Sequence, residues 1–204
     1  MRLAKVLLVV LLVSGCASVP EVKPYAGVLE ALENTVIVTD GMGHGSGMIL
    51  QDGLVVTAKH CVGEGLVVGK LDGTEYEVTE YFVHPTYDVA ILCVPGIQGD
   101  AAVPADLEML LHVWILGAPL DVELAGSMTE GFLVNLDRDI WNRWEDAIQV
   151  SAWGAPGNSG GPVVDDDGRL VGIVVAGPNR EGACAVIVEP VGHIMETIRL
   201  SGWF

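Results

Sequence analysis

The sequence has little positive charge, few aromatic residues and no apolar run long enough to cross a membrane. Of its 204 residues, 10 are Lys or Arg and 27 are Asp or Glu, so the formal net charge is −17 at pH 7. Nucleic-acid binding depends on clustered basic side chains that release phosphate counterions, so this shortage argues against a nucleic-acid partner. The longest apolar run, Val6–Val13, has eight residues, whereas a membrane-spanning helix needs about 20.

Cysteine and histidine are also sparse, with four and five residues. Neither type shows the paired spacing of a zinc site. The acidic segment Asp165-Asp166-Asp167-Gly168 lacks the alternate ligand spacing of a calcium loop and is typical of a hairpin turn. We therefore expect no metal and no cofactor, and the spacing leaves a Cys61–Cys93 disulfide open.

Apolar side chains and glycine are abundant instead. Apolar residues form 50% of the chain, and it has 26 glycines. That composition excludes a disordered acidic tail. A chain of this length forms one or two domains and buries enough surface to fold without a metal or a disulfide.

The first sixteen residues have the pattern of an export signal. Arg2 and Lys5 precede the eight-residue apolar run, and the small residues Ser14 and Gly15 precede Cys16. This pattern resembles the lipobox of bacterial lipoproteins, which implies that Cys16 is acylated and anchors the exported chain at the periplasmic face of the outer membrane or at the cell surface. Cleavage before Cys16 removes two basic residues and leaves a net charge of −19. An ordinary secretion signal is the alternative.

Short runs of Val, Ile and Leu, broken by Gly, Asp or Pro, predict strands over the rest of the chain. Short helices are predicted near 26–33 and 191–199, and a loop-like stretch at 95–110 divides the strands into six and six. We therefore expect an all-β fold of two six-stranded antiparallel β-barrels with a short C-terminal helix. The predicted strands are 35–39, 46–50, 54–58, 66–71, 75–83 and 89–94, then 111–117, 127–135, 147–152, 162–165, 170–176 and 184–188.

This division predicts four segments. They are a signal peptide at 1–15, a lipidated Cys with a tether and short helix at 16–33, an N-terminal barrel at 34–97 and a C-terminal barrel at 98–204.

Three short motifs carry side chains suited to catalysis. The segment Ala-Pro-Gly-Asn-Ser-Gly-Gly-Pro places Ser159 on a Gly-rich turn, where neighbouring backbone N–H groups converge on one point. His60 follows an apolar strand in Thr-Ala-Lys-His-Cys, and Asp88 precedes another in His-Pro-Thr-Tyr-Asp-Val-Ala-Ile-Leu. Taken alone, each is typical of a turn or a surface position. Together they supply a nucleophile, a base and the anion that orients the base.

The order His60, Asp88, Ser159 and these motifs resemble the trypsin-like, chymotrypsin-fold serine proteases, over about residues 34–199. The resemblance implies that Ser159 attacks a peptide carbonyl, that His60 takes its proton and that Asp88 orients His60. It also implies that the backbone N–H groups of Gly157 and Ser159 form the oxyanion hole, in a cleft between the barrels. The expected partner is a protein or peptide substrate.

Some residues depart from the family pattern. Asn158 stands where digestive members carry the Asp that binds a new N-terminus, so no zymogen cleavage is expected, as in Deg-type bacterial proteases. Only 45 residues follow Ser159, so no PDZ module is expected. The family's cysteine partner for Cys61 is absent from the preceding strand, so no disulfide of that type is expected. Lys59 is unusual beside the His and should point away from it if strand alternation continues.

The resemblance also locates a substrate pocket. Trp153 stands six residues before Ser159, where trypsins carry the Asp that selects Lys and Arg. A buried Trp at this point should fill or wall the pocket and disfavour basic side chains, and core packing is the alternative for this residue. The other pocket walls are expected from Val174, Val175, Ala176, Gly177 and Cys184.

Three function classes follow from these residues. The first is a membrane-tethered serine endopeptidase. The second is a catalytically silent pseudo-protease that binds peptides or proteins at the membrane, and the third is an acidic lipoprotein in which the motif is fortuitous. The sequence makes no prediction of oligomeric state.

Overall fold

The structure is a computed structural model that describes residues 25–140, 144–177 and 185–203. The predicted signal peptide, Cys16 and Cys184 lie outside the described residues. The helix α1 (Ala26–Glu33) precedes two antiparallel β units, and the helix α2 (Val191–Ser201) follows them, as the sequence predicts. Among the described residues, no helix combines the length and apolar character that crossing a bilayer requires.

The first unit is a curled seven-stranded sheet in the order β5-β4-β1-β2-β3-β7-β6. Its strands are β1 (Thr35–Thr39), β2 (His44–Gln51), β3 (Leu54–Thr57), β4 (Val67–Lys70), β5 (Glu75–Glu77), β6 (Glu80–Val83) and β7 (Ala90–Cys93).

The single strand predicted over 75–83 is two strands, and this is why the sheet has seven strands instead of six. Val78 N donates to Leu66 O at 3.2 Å, whereas Thr79 N donates to Cys93 O at 3.0 Å. The chain therefore changes hydrogen-bonding partner between these two residues. β5 pairs with β4 and β6 pairs with β7, so this bent segment joins the two edges of the sheet as a continuous strand would in a barrel.

The second unit is a closed six-stranded barrel in the order β10-β13-β12-β11-β8-β9. Its strands are β8 (His112–Gly117), β9 (Ser127–Ile140), β10 (Trp144–Val150), β11 (Pro162–Asp165), β12 (Leu170–Ala176) and β13 (Val186–Pro190). The all-β double-barrel expectation is thus confirmed, although the first sheet is curled rather than closed by hydrogen bonds.

Three apolar clusters form the core of the described residues. One lies within each unit, around Val36 and Leu92 in the first and Val113 and Ile148 in the second. The third cluster runs between the units and joins β2, β3 and β7 to β8, β11, β12 and α2. Burying one of its Ile or Leu side chains stabilises the fold by about 1.5–3 kcal/mol. The two units therefore pack through a continuous core. This core fixes the positions of the loops that leave it.

Candidate active site

His60 lies on a turn at the end of the first unit's central strands. The buried strand β3 ends at Thr57, and the chain then makes a 3₁₀ turn over Lys59–Cys61. This turn leaves the His60 side chain 35% exposed. It also ends the strand alternation on which the Lys59 expectation depended, and Lys59 Nζ donates to the backbone O of His84 at 2.9 Å.

Asp88 binds His60 at two points. Asp88 Oδ2 lies 2.8 Å from His60 Nδ1, and the backbone N of His60 donates to Asp88 Oδ1 at 3.0 Å. The backbone N of Lys59 donates to the backbone O of Asp88 at 3.3 Å. Because both carboxylate oxygens are engaged and the Asp88 side chain is only 11% exposed, the imidazole is held in one orientation.

This pairing changes the acid–base chemistry of His60. The hydrogen bond to Asp88, followed by the contact with Cys61, raises the pKa of His60 above its usual 6.5, against the opposing effect of burial. In the neutral tautomer that donates Nδ1–H to Asp88, the Nε2 lone pair is available to accept a proton. The arrangement therefore suits a general base that becomes a stabilised cation.

Ser159 lies on a tight turn between β10 and β11. Gly157 and Gly160 take left-handed φ angles of 98° and 80°, which favour glycine. Asn158 N donates to Ala155 O at 3.0 Å, and Gly160 N donates to the backbone O of Val174. Within the described part of the chain, the N–H groups of Gly157 and Ser159 have no acceptor, so both are available to a ligand.

The serine turn is fixed by the first unit. Ser46 N on β2 donates to Ser159 O at 2.7 Å. Ser46 Oγ donates to Gly157 O at 2.7 Å and accepts from Ala118 N at 3.0 Å. The thiol of Cys61, next to His60, lies 3.6 Å from Ser159 O. The structure thus brings the turn that carries Ser159 against the turn that carries His60.

Sequence reasoning missed the role of Ser46. The residue is completely buried in β2, between Gly45 and Gly47 and before the apolar residues 48–50. A hydroxyl in such a position must find hydrogen-bond partners, so its placement in the predicted strand 46–50 was the available signal. The partners themselves are far away in sequence and could not be read from the strand.

The predicted pocket residues are placed unevenly. Trp153 is 41% exposed, so neither the expected burial nor the core-packing alternative describes it; the neighbouring Ala152 takes the buried position. Val174 and Val175 point into the apolar clusters. Ala176 is half-buried, and Gly177 is exposed with its Cα hydrogen facing Gly154 O. Cys184 lies outside the described residues.

The remaining cysteines are not bridged to each other. Cys61 and Cys93 both carry free thiols. Cys93 lies on β7, opposite Leu54 and Glu80, whereas Cys61 faces the serine turn. The Cys61–Cys93 pairing that the sequence left open is therefore not formed.

Two antiparallel β units packed along a shared core, with the candidate residues where they meet, define the chymotrypsin-like double-barrel class. The sequence of residues 45–173 matches the family described as a trypsin-like peptidase domain. The chain belongs to the trypsin-like peptidase family.

Individual relatives agree with this assignment. The probable periplasmic serine endoprotease DegP-like of Brucella suis biovar 1 is 32% identical over 142 residues, covering 66% of this chain and 28% of that protein. The serine protease HtrA-like of Staphylococcus aureus strain bovine RF122 / ET3-1 is 34% identical over 103 residues, covering 44% and 13%. The chain thus spans less than a third of the length of these curated relatives.

Solved structures share the fold. The HtrA-type protease AlgW with tripeptide has a TM-score of 0.77 at 25% identity, over 86% of this chain and 62% of that one. An inactive form of Rv3671c from M. tuberculosis H37Rv has a TM-score of 0.73 at 23% identity, over 87% of this chain and 91% of that one. The second likeness shows the fold alone.

Proposed function

We propose that this protein is a serine endopeptidase that hydrolyses peptide bonds with Ser159 as nucleophile, His60 as general base and acid, and Asp88 as the group that orients His60. The observation that carries the proposal is the two-point pairing of Asp88 with His60, beside a serine turn with two unused N–H groups. Membership of the trypsin-like peptidase family supports it.

The reaction follows from these groups. Ser159 Oγ attacks the peptide carbonyl carbon while His60 Nε2 accepts the hydroxyl proton, and the carbonyl oxygen becomes an oxyanion. The N–H groups of Gly157 and Ser159 donate to that oxyanion, and each such donor lowers the barrier by about 2.7–4 kcal/mol. His60 then protonates the leaving amine, which leaves an acyl ester on Ser159. Water, deprotonated by His60, attacks the ester, and His60 then gives that proton to Ser159 Oγ as the acid product leaves.

The location and layout are part of the proposal. We infer that the protein is exported, which the periplasmic assignment of the Brucella relative supports. We also infer that Cys16 carries a lipid that tethers the two barrels at 34–97 and 98–204 to the membrane. Incorporation of labelled palmitate into wild type, with loss in Cys16→Ser, is the expected result. Equal labelling of both would remove Cys16 as the anchor.

The substrate side chain at the cleaved bond is inferred from the segment around Trp153. Trp153, Gly154 and Gly177 carry no acid that would bind Lys or Arg. We infer a preference for small or medium uncharged residues. A peptide-library cleavage profile tests this inference, and preferred cleavage after Lys or Arg contradicts it.

A fluorophosphonate probe tests the catalytic role of Ser159 directly. Wild type is expected to be labelled at Ser159, and Ser159→Ala is expected to remain unlabelled. His60→Ala should lower the labelling rate by several orders of magnitude, because the members of such a triad act as a unit. Ser127→Ala is a matched control, since its hydroxyl donates to the backbone O of Leu124 and to neither His60 nor Ser159. A folded wild type that is not labelled would instead identify a pseudo-protease.

A further inference from the structure

A buried acid from the second unit contacts the backbone of Asp88. Glu189 lies on β13 directly before α2, and its side chain is 1% exposed. Its Oε1 accepts the backbone N–H of Asp88 at 3.1 Å. Its Oε2 lies 2.6 Å from His193 Nδ1, one turn into α2. The carboxylate therefore links the C-terminal helix to the residue that orients His60.

The burial of this acid calls for a reason. Moving a carboxylate out of water costs several kcal/mol unless it is paired and hydrogen-bonded. Both Glu189 oxygens have such partners, but an apolar residue would pack in the same barrel without that requirement. The neighbouring positions on β13, Val186 and Val188, are apolar and buried. Barrel packing does not require an acid at this position. We therefore attribute the presence of Glu189 to its contact with Asp88.

A stack of three rings also contacts the loop that carries Asp88. The Tyr87 ring lies parallel to the His193 ring, with centroids 3.5 Å apart, and the His84 ring stacks on its opposite face at 4.5 Å. His84 Nδ1 accepts the backbone N–H groups of Thr86 and Tyr87. Because Tyr87 immediately precedes Asp88, these contacts restrict the backbone on which the Asp88 carboxylate is carried.

We propose that Glu189, held in place by His193, is a positioning residue that fixes Asp88 against His60 and so contributes to the rate of the chemical step. This inference rests on the proposed peptidase function. His193 aligns Glu189, Glu189 fixes the Asp88 N–H, and Asp88 in turn meets His60 at both Nδ1 and the backbone N. A small displacement of such a group lowers rates steeply, about 100-fold per ångström in unfavourable cases.

Two substitutions of Glu189 separate the hydrogen bond from the charge. Glu189→Met keeps the side-chain length but removes both acceptors, and Glu189→Gln keeps one oxygen for the Asp88 N–H. We expect kcat of Glu189→Met to fall about 10- to 100-fold with KM within twofold of wild type. Glu189→Gln should recover most of that loss. Glu196→Gln is the matched control, because Glu196 is a half-buried acid on α2 that pairs with Arg199 instead of Asp88, and its substitution should leave kcat unchanged.

The His60 Nδ1 proton gives a readout that does not depend on turnover. In wild type it should give a downfield ¹H NMR signal from the hydrogen bond to Asp88. The signal should weaken or move upfield in Glu189→Met and stay in Glu189→Gln. If Glu189→Met does not fold, His193→Leu serves in its place, because it frees Glu189 without removing the acceptor, and a smaller fall in kcat is expected.

The outcomes distinguish this inference from the proposed function. An inactive, unlabelled wild type overturns the peptidase proposal, and the positioning role with it. An active wild type whose kcat and NMR signal are unchanged in folded Glu189→Met overturns the positioning role alone. An equal loss of kcat in Glu189→Gln and Glu189→Met overturns the assignment of the effect to the Asp88 hydrogen bond.

Discussion

Among the contacts that cross between the β units at the candidate site, those of Ser46 and Glu189 use different chemistry. Ser46 of the first unit holds the serine turn of the second through neutral, fully buried hydrogen bonds. Glu189 of the second unit holds the Asp88 loop of the first through a buried carboxylate, supported by stacked rings. Each unit therefore fixes a loop of the other that carries a candidate catalytic residue, which explains how groups on separate sheets keep a common geometry.

The largest expected effect comes from removing the charge of Asp88, the residue whose backbone Glu189 contacts. Asp88→Asn should lower kcat/KM about 10³- to 10⁴-fold, because the amide no longer selects the tautomer of His60 that can act as base. The pKa of His60 should fall toward 6.5, since its pairing with Asp88 is the main cause of its elevation. The acid limb of the kcat/KM profile against pH should therefore move to lower pH. An unshifted limb would mean that a different group limits activity.

Ser46→Ala tests the neutral contact. It leaves Gly157 O and Ala118 N without their buried hydroxyl partner, and a buried unsatisfied group costs about 1–3 kcal/mol. The free energy of unfolding, measured in urea, should fall by about that amount, and kcat should fall with it as the serine turn loosens. Ser127→Ala, at a half-buried turn, should change both quantities little. Loss of stability with unchanged kcat would mean that Ser46 stabilises the packing of the two units but does not position the serine turn for catalysis.

The smallest expected effect is on how stability depends on pH. The pKa of His60 is higher in the folded protein than its unfolded pKa of 6.5. Its pairing with Asp88 therefore stabilises the fold fully at pH values below 6.5. This stabilisation is lost as the pH rises through the pKa of His60 in the folded protein. The difference in unfolding free energy between wild type and Asp88→Asn should be largest at about pH 5–6.5, where carboxylates remain ionised. It should then shrink as the pH becomes alkaline.

Urea titrations from acidic to alkaline pH measure that difference. Glu64→Gln is the control, because it makes the same change from acid to amide at an exposed residue that is not a cause of the raised pKa of His60. A difference between wild type and Asp88→Asn that grows with pH would contradict the assigned direction of the His60 shift.

The strands and the chemistry-bearing motifs could be predicted because their signals are local. Alternating and continuous apolar runs place most strands within a few residues of their observed bounds. The glycine content of the segment before β11 predicts the turn there. The strand predicted at 127–135 fell short for a related reason. Residues 136–139 are exposed, so the extended β9–β10 hairpin shows no alternation of buried and exposed side chains.

Glu189 and Ser46 act through tertiary contacts, so the sequence gives weaker signals for their roles. The contact between Glu189 and Asp88 spans 101 residues, and the one between Ser46 and Gly157 spans 111. Neither spacing is visible in any local pattern. The predicted strand 184–188 stopped just before Glu189, so the acid resembled a solvated residue at a strand end. Only the docking of the two units shows that it is buried.

Because each unit fixes a loop of the other, the candidate site is completed only late in folding. Before the units dock, Asp88 lacks the acceptor that fixes its backbone, and the serine turn lacks Ser46. A half-folded chain therefore contains Ser159, His60 and Asp88 but lacks the contacts that would align them. Under the proposed peptidase function, cleavage activity would therefore appear only after the two units have docked.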